Sequence, residues 1–237
     1  MKRKPTKSNA LTLLIEAGID VKSVIDVGVQ VDTPELREAF PNVPHILFEP
    51  VVEYNENIRE NYKNVEYRLE NIAISDREGV LWLKDCKSTE TGVVTHVTPA
   101  LHFEEGLRHI RARTLDNYLS EAYQTNQNLA PYLIKIDVDG HETEILRGAK
   151  NVLPWTSCLI VETTLPHLRE RCDFAERCGL RLWDIVDINY YHNNLYQIDL
   201  IFVADRFFKS ASKLDPNKMM MGESVDIDAW FEPKEYL

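Results

Sequence analysis

Short apolar runs that end in an acid and lead into stretches of helical spacing constrain this chain most. They are SVIDVG at Ser23–Gly28, HILFEP at His45–Pro50, YLIKID from Tyr132 and CLIVETT at Cys158–Thr164. Each is too short for a helix and rich in β-branched residues, so each reads as a buried strand. Helical patterns between them imply crossover connections and a mainly parallel sheet.

The intervening segments fit that frame. Ser8 can cap a first helix over 8–18 that Gly18 ends. Thr33 and Pro34 suit the N-cap and first position of a second helix, and Tyr54 to Tyr62 reads as a third. VEYRLENIAIS (Val65–Ser75) is a strand that bends into a loop, and GVLWLKD (Gly79–Asp85) a further strand. Cys86 to Gly106 is polar and without period, so it reads as loop plus short strands, an insertion of the kind that covers a site. RARTLDNYL gives a strand end and a helix capped by Thr114. Ile145, Leu146, Ala149 and Val152 form the apolar stripe of the helix after YLIKID, and Pro166 to Cys178 is a helix ended by Gly179. No helical segment separates LRLWDIV (Leu180–Val186) from LYQIDLIFVA (Leu195–Ala204), so the seventh strand should run antiparallel, with Tyr190–Asn194 as a hairpin. The expectation is one α/β domain over 1–237, with a core of about residues 20 to 204 and a tail over 205–237 that serves as a docked cap or lacks order.

Composition narrows the partners. A net charge of −11 excludes the basic footprint of a nucleic-acid binder. No apolar run reaches the roughly 18 residues of a spanning helix. The start, MKRKPTKSNALTLLIEAG, has too short an apolar patch for a signal peptide and carries Thr12 and Glu16 within it. Cys86, Cys158, Cys172 and Cys178 have no metal-like spacing and read as free thiols in a reducing cytoplasm. The tail's apolar segments and Trp230 suit a homodimer and a docked cap equally.

Ligands of open α/β sheets bind outside the carboxyl ends of the strands. That edge carries Asp26, Gly28, Glu49, Asn71, Asp137 and Glu162. Glu49 lies 21 positions after Gly28, where a carboxylate can accept from ribose hydroxyls. The first turn, DVGVQVDTPEL, has one glycine and an added Asp32. Acids there repel a pyrophosphate but suit a sulfonium and an amino group, so S-adenosylmethionine fits better than NAD.

KIDVDGHETEILRGA closely resembles the signature of the FkbM-type methyltransferases, and VIDVG, FEP, NIAISD, RTLDNYL and IVET follow in that family's order. The resemblance implies a class I, Rossmann-like fold and methyl transfer from S-adenosylmethionine, usually to a hydroxyl oxygen. By position it places Asp26 and Gly28 near the methionine moiety and Glu49 on the ribose. Asn71, Ile72 and Ala73 would line the adenine, and Asp137 would sit by the amino group or the methyl. The family's first turn commonly has Asn and Gly where this chain has Gln30 and Asp32.

An alcohol acceptor needs a base or a metal ion to remove its proton. Asp137, Asp139, His141 and Glu142 stand at the right strand end, and His141 has the best-matched ordinary pKa. Asp139 and Glu142 equally suit the first turn of a helix, and Glu144 reads as solvated. A divalent cation on Asp137, Asp139 and Glu162 would satisfy a hard ion's preference for oxygen, but spacing alone does not bring the three together. His96, His102 and His109 lie in or beside the irregular 86–106 segment and could act from a lid, His192 lies in a late loop, and Tyr190, Tyr191 and Tyr196 can stack on a sugar face or serve as core. The expected activity is O-methylation of a sugar, glycan or natural-product acceptor. The alternatives are a non-catalytic cofactor-binding module of the same fold and an NAD-linked enzyme.

Overall fold

The computed structural model describes residues 4–88, 94–100, 104–124 and 129–208. Its centre is a seven-stranded sheet of β1 (Ser23–Val27), β2 (His45–Phe48), β3 (Tyr67–Glu70), β8 (Tyr132–Ile136), β9 (Thr156–Thr164), β10 (Leu180–Tyr191) and β11 (Asn194–Ala204). The order across it is β10-β11-β9-β8-β1-β2-β3. Its strands are parallel except β11, which is antiparallel to both neighbours, as the missing helix between the last two strands requires. The order reverses around β1 and β8, and that switch point opens a crevice at their carboxyl ends.

Helices cover both faces. On one, α4 (Leu115–Gln124), α5 (Glu142–Arg147) and α6 (Leu168–Arg177) bury Leu115, Leu119, Ile145, Leu146 and Ala175 against Ile25, Ile134 and Val161. On the other, α1 (Lys7–Glu16) and α2 (Pro34–Ala39) bury Leu11, Leu14 and Leu36 against Val24, Leu133 and Ile160. α3 (Asn55–Asn61) packs Ile58 near Val29 and Leu47, and the short α7 (Asp205–Phe208) closes the described chain. The first helix is capped by Thr6, whose hydroxyl accepts from Asn9 N at 3.3 Å, so Ser8 already lies inside the first turn. Gly18 does end it, at φ +82°. Thr114 caps α4 by accepting from Asn117 N at 3.1 Å.

A second sheet was not legible in the sequence. β4 (Ala73–Ile74), β5 (Gly79–Lys87), β6 (Val94–Pro99) and β7 (Arg108–Arg113) form it in the order β4-β7-β5-β6. β6 is a short strand of the kind expected between Cys86 and Gly106, and it pairs antiparallel with β5. Its side chains are mostly half-exposed, which removes the alternation that marks a buried strand. His102, Trp230 and the tail beyond Phe208 lie outside the described residues.

All four cysteines are free thiols. Among the described residues, no helix is long and apolar enough to cross a membrane.

Candidate functional site

A cleft opens at the carboxyl ends of β1, β2 and β8. Gly28, Glu49 and Asp137 form its floor; Ile72, Ala73 and Ile74 line a wall. Leu81, Leu83, His96, Val97 and Pro99 of the second sheet roof it.

Gly28 is fixed by geometry. At φ +87° it turns the chain, and a Cβ there would lie 1.9 Å from the Asp137 carbonyl oxygen. Only glycine lets the ends of β1 and β8 approach this closely.

Glu49 is 4% exposed, and each of its oxygens accepts one backbone N–H, from Gln30 and from Val51, both at 2.8 Å. Burial pushes its pKa up to about 7, against the pull of those two N–H groups. The carboxylate is thus held at the cleft with acceptor capacity left over. Gln30 takes a left-handed conformation, φ +55°, to present its N–H. Asparagine tolerates such a left-handed position better than glutamine does.

Asp26, expected beside the ligand, does not line the cleft. Successive residues of a strand face opposite sides, and the neighbouring Val27 takes the cleft side. The carboxylate of Asp26 is fully buried and meets Lys135 Nζ at 3.3 Å, directly across the β1–β8 register. Lys135 also reaches Asp137 Oδ2 and donates to Gly28 O, each at 3.3 Å. Burial disfavours its charge, but Asp26 and Asp137 outweigh burial and raise its pKa. A lysine inside an otherwise apolar strand, opposite an aspartate, was the sequence signal for this pair. Asp32 is likewise spoken for, since Arg37 holds both its oxygens at 3.1 and 2.9 Å. The acidity of the first turn is therefore largely neutralised, and the acids left at the cleft are Glu49, Asp137 and Asp139.

Asn71 is also absent from the lining. Its side chain donates to Glu49 O at 2.7 Å and to Asn55 at 2.9 Å, bracing the end of β2. Ile72 and Ala73 do face the cleft.

At the third strand end, Asp137 lines the cleft and shares a hydrogen bond with Glu162. Burial raises the Glu162 pKa to about 9, and the adjacent Asp137 adds to it. Burial acts on Asp137 too, yet Lys135 and the bond from Glu162 hold it below the usual carboxylate range. The two carboxyls thus titrate as a pair, with Glu162 the one pushed toward its protonated, donating form. Among the described residues, no three acidic, histidine or cysteine side chains come together as a metal site.

Asp139 is exposed at the cleft, at φ +55°, and does not cap α5; His141 occupies the N-cap position. Glu142 takes the structural role instead, accepting from Gly140 N at 3.0 Å and pairing with the buried Arg171. Glu144, expected in water, is 32% exposed and pairs with Arg147 at 3.2 Å. His141 borders the cleft with Nε2 at 2.9 Å from Ser75 Oγ and Nδ1 at 3.8 Å from Glu144. Ser75 also lies 3.2 Å from Asp76 Oδ1 as a donor, which assigns the Nε2 proton to His141. Burial lowers the pKa of the ring. His96, on β6, lines the roof; His109, on β7, contacts Trp82; and His192 is exposed at a hairpin turn.

The roof is fastened to the floor by contacts the sequence did not mark. Gln30 Nε2 donates to Thr95 O, Tyr54 OH donates to Val94 O at 2.9 Å, and Arg108 pairs with Glu53 at 2.7 Å and with Asp85. Nothing in their spacing predicts these contacts, which join segments far apart in the chain.

The description "Methyltransferase FkbM domain" matches residues 32–199. Among curated proteins there is no match. A methyltransferase FkbM from Methylobacillus flagellatus KT is similar in structure, with a TM-score of 0.49 at 14% identity over 84% of this chain and 48% of that one. This chain thus spans about half the length of that protein. A putative RNA methyltransferase from Pyrococcus horikoshii gives 0.45 at 12% identity, over 84% of this chain and 83% of the other. The N-methyltransferase NodS from Bradyrhizobium japonicum WM9, in complex with S-adenosyl-L-homocysteine, gives 0.42 at 9%, over 85% and 89%.

Proposed function

The chain belongs to the FkbM methyltransferase family, and from that premise we propose that it transfers a methyl group from S-adenosylmethionine to a hydroxyl oxygen of a sugar, glycan or natural-product acceptor. The observation that carries the cofactor assignment is Glu49: a buried carboxylate with both oxygens oriented by backbone N–H groups, facing a cleft whose next wall is apolar. A polar acceptor beside an apolar slot fits a nucleoside, with the ribose hydroxyls on Glu49 and the base against Ile72, Ala73 and Ile74. Asp137, charged and aimed at the same cleft, suits the cationic end of the ligand. Gly28 leaves room for that end to approach the backbone.

The bound cofactor supplies the electrophilic methyl group, and the chain's own residues align the acceptor and take its proton. His141 is the base in this reading. Its lowered pKa keeps it neutral near pH 7, and with the proton on Nε2 engaged by Ser75, the lone pair lies on Nδ1. Glu144 stands ready to stabilise the imidazolium that forms. Asp139, exposed at the mouth, is positioned to bind acceptor hydroxyls.

Titration with S-adenosylmethionine, S-adenosylhomocysteine and NAD tests the cofactor assignment; a response to NAD alone overturns it. A screen of free and nucleotide-linked sugars with labelled S-adenosylmethionine tests the acceptor class. In His141→Gln, turnover should fall while S-adenosylhomocysteine affinity holds. Unchanged turnover would remove His141 as the base.

A further inference from the structure

From Ile188 to Ile198 the sequence reads INYYHNNLYQI, with no acidic, lysine or arginine side chain, in a protein that is 27% charged. This stretch is the tip of the β10–β11 hairpin. Its turn, His192–Asn193, has φ +48° and +63°, the left-handed pair that matches a two-residue hairpin. Tyr190, Tyr191 and Tyr196 are 69%, 65% and 57% exposed. The ring of Tyr191 lies 6.0 Å from that of Tyr196 and 4.4 Å from His192, and Asn189, Asn193 and Asn194 are exposed around them.

Register fixes where the tip stands. Gln197 pairs with Thr164, the last residue of β9, and the hairpin continues past it to Tyr190↔Leu195 and Tyr191↔Asn194. The tip therefore rises beyond the sheet on its carboxyl edge, the edge that holds the cleft. Glu162, two residues below Thr164, is bonded to Asp137 of the cleft floor. β11 and β10 lie two and three strands from β8, roughly 10–15 Å sideways at the usual strand spacing of about 4.8 Å.

Rigid tyrosine rings interleaved with amides make a surface that stacks and hydrogen-bonds at little entropic cost. The absence of charge points to a neutral ligand, because an ionic one needs a countercharge to offset its desolvation. A sugar ring offers what this surface lacks a partner for: an apolar C–H face and a rim of hydroxyls. We propose that the hairpin tip is a binding subsite for a neutral oligosaccharide, holding a sugar residue remote from the hydroxyl at the cleft. Calling that oligosaccharide the methyl acceptor rests on the function proposed above; its binding at the tip does not. Contacts to such a remote residue help align the reacting one.

The test uses immobilised neutral oligosaccharides of glucose, galactose and mannose, from disaccharides to hexasaccharides, probed with the full chain. Tyr191→Ala/Tyr196→Ala should weaken binding roughly tenfold or more, as the loss of two neighbouring stacking rings implies. Tyr191→Phe/Tyr196→Phe should keep most of it, and both variants should bind S-adenosylhomocysteine as the parent does. Absence of binding by the parent chain, or equal binding by the alanine variant, overturns the proposal. So does a dimer in sedimentation that the alanine variant abolishes, which would give the tip to a second copy of the chain. Oligosaccharide binding without any S-adenosylhomocysteine binding would leave the subsite standing and remove the methyl-transfer reading.

Discussion

The floor and roof of the cleft are built by different physics. The floor is the carboxyl edge of β1, β2 and β8, whose residues are almost entirely buried and whose charges are locked beneath it by Lys135. The roof is a small sheet joined to the floor by tethers at or near the surface, such as Tyr54 to Val94 and Arg108 to Glu53. Breaking a buried ion pair strands a charge where water cannot reach it, whereas an exposed bond gives its groups back to solvent. The floor should therefore tolerate almost no change, and the roof should detach cheaply.

The largest expected effect is on the floor. Lys135→Met leaves Asp26 and Asp137 without their shared cation and should cost about 3–5 kcal/mol in urea unfolding. A loss below about 1 kcal/mol would put the floor on the roof's footing and break the comparison. Gly28→Ala comes next, at about 2–3 kcal/mol, because the new Cβ meets the Asp137 carbonyl and φ is left-handed.

Glu49→Gln should act on binding more than on folding, weakening S-adenosylhomocysteine by about tenfold to a hundredfold, the range of a charge-assisted hydrogen bond. The pH dependence has a definite sign. Its folded-state pKa, about 7, lies above the ordinary value. The empty protein therefore holds this group's stabilising contribution at low pH and loses it as pH rises through about 7. Ligand hydroxyls donate to the charged form, so affinity should rise across the same window. Both dependences should flatten in the glutamine variant. The smallest effect belongs to the roof. Tyr54→Phe removes one bond to Val94 and should cost at most about 1 kcal/mol, appearing mainly as faster ligand release in stopped flow.

The same contrast explains what the sequence revealed. Strands of the large sheet are buried on both faces, so SVIDVG, HILF and YLIKI stand out as continuous apolar runs. β6 is half-exposed and carries no such pattern. Glu49 and Asp137, which strand ends select, and Ile72 and Ala73, which the family resemblance suggests, all line the cleft. Asp26 was misplaced because strand position does not say which face a side chain takes, and Asn71 because its partner Asn55 lies in another element. Of the two acids expected at the helix start, Glu142 takes its place in the first turn and Asp139 does not, since the left-handed turn at Asp139–Gly140 delays the helix.

The central claim is that Glu49 anchors a nucleoside cofactor at the floor. Calorimetric titration of S-adenosylhomocysteine into the parent chain and Glu49→Gln, at about pH 6 and about pH 8, tests it most directly. The account predicts tighter binding by the parent at the higher pH and weak, pH-independent binding by the variant. Equal affinity of the two proteins at both pH values would contradict it.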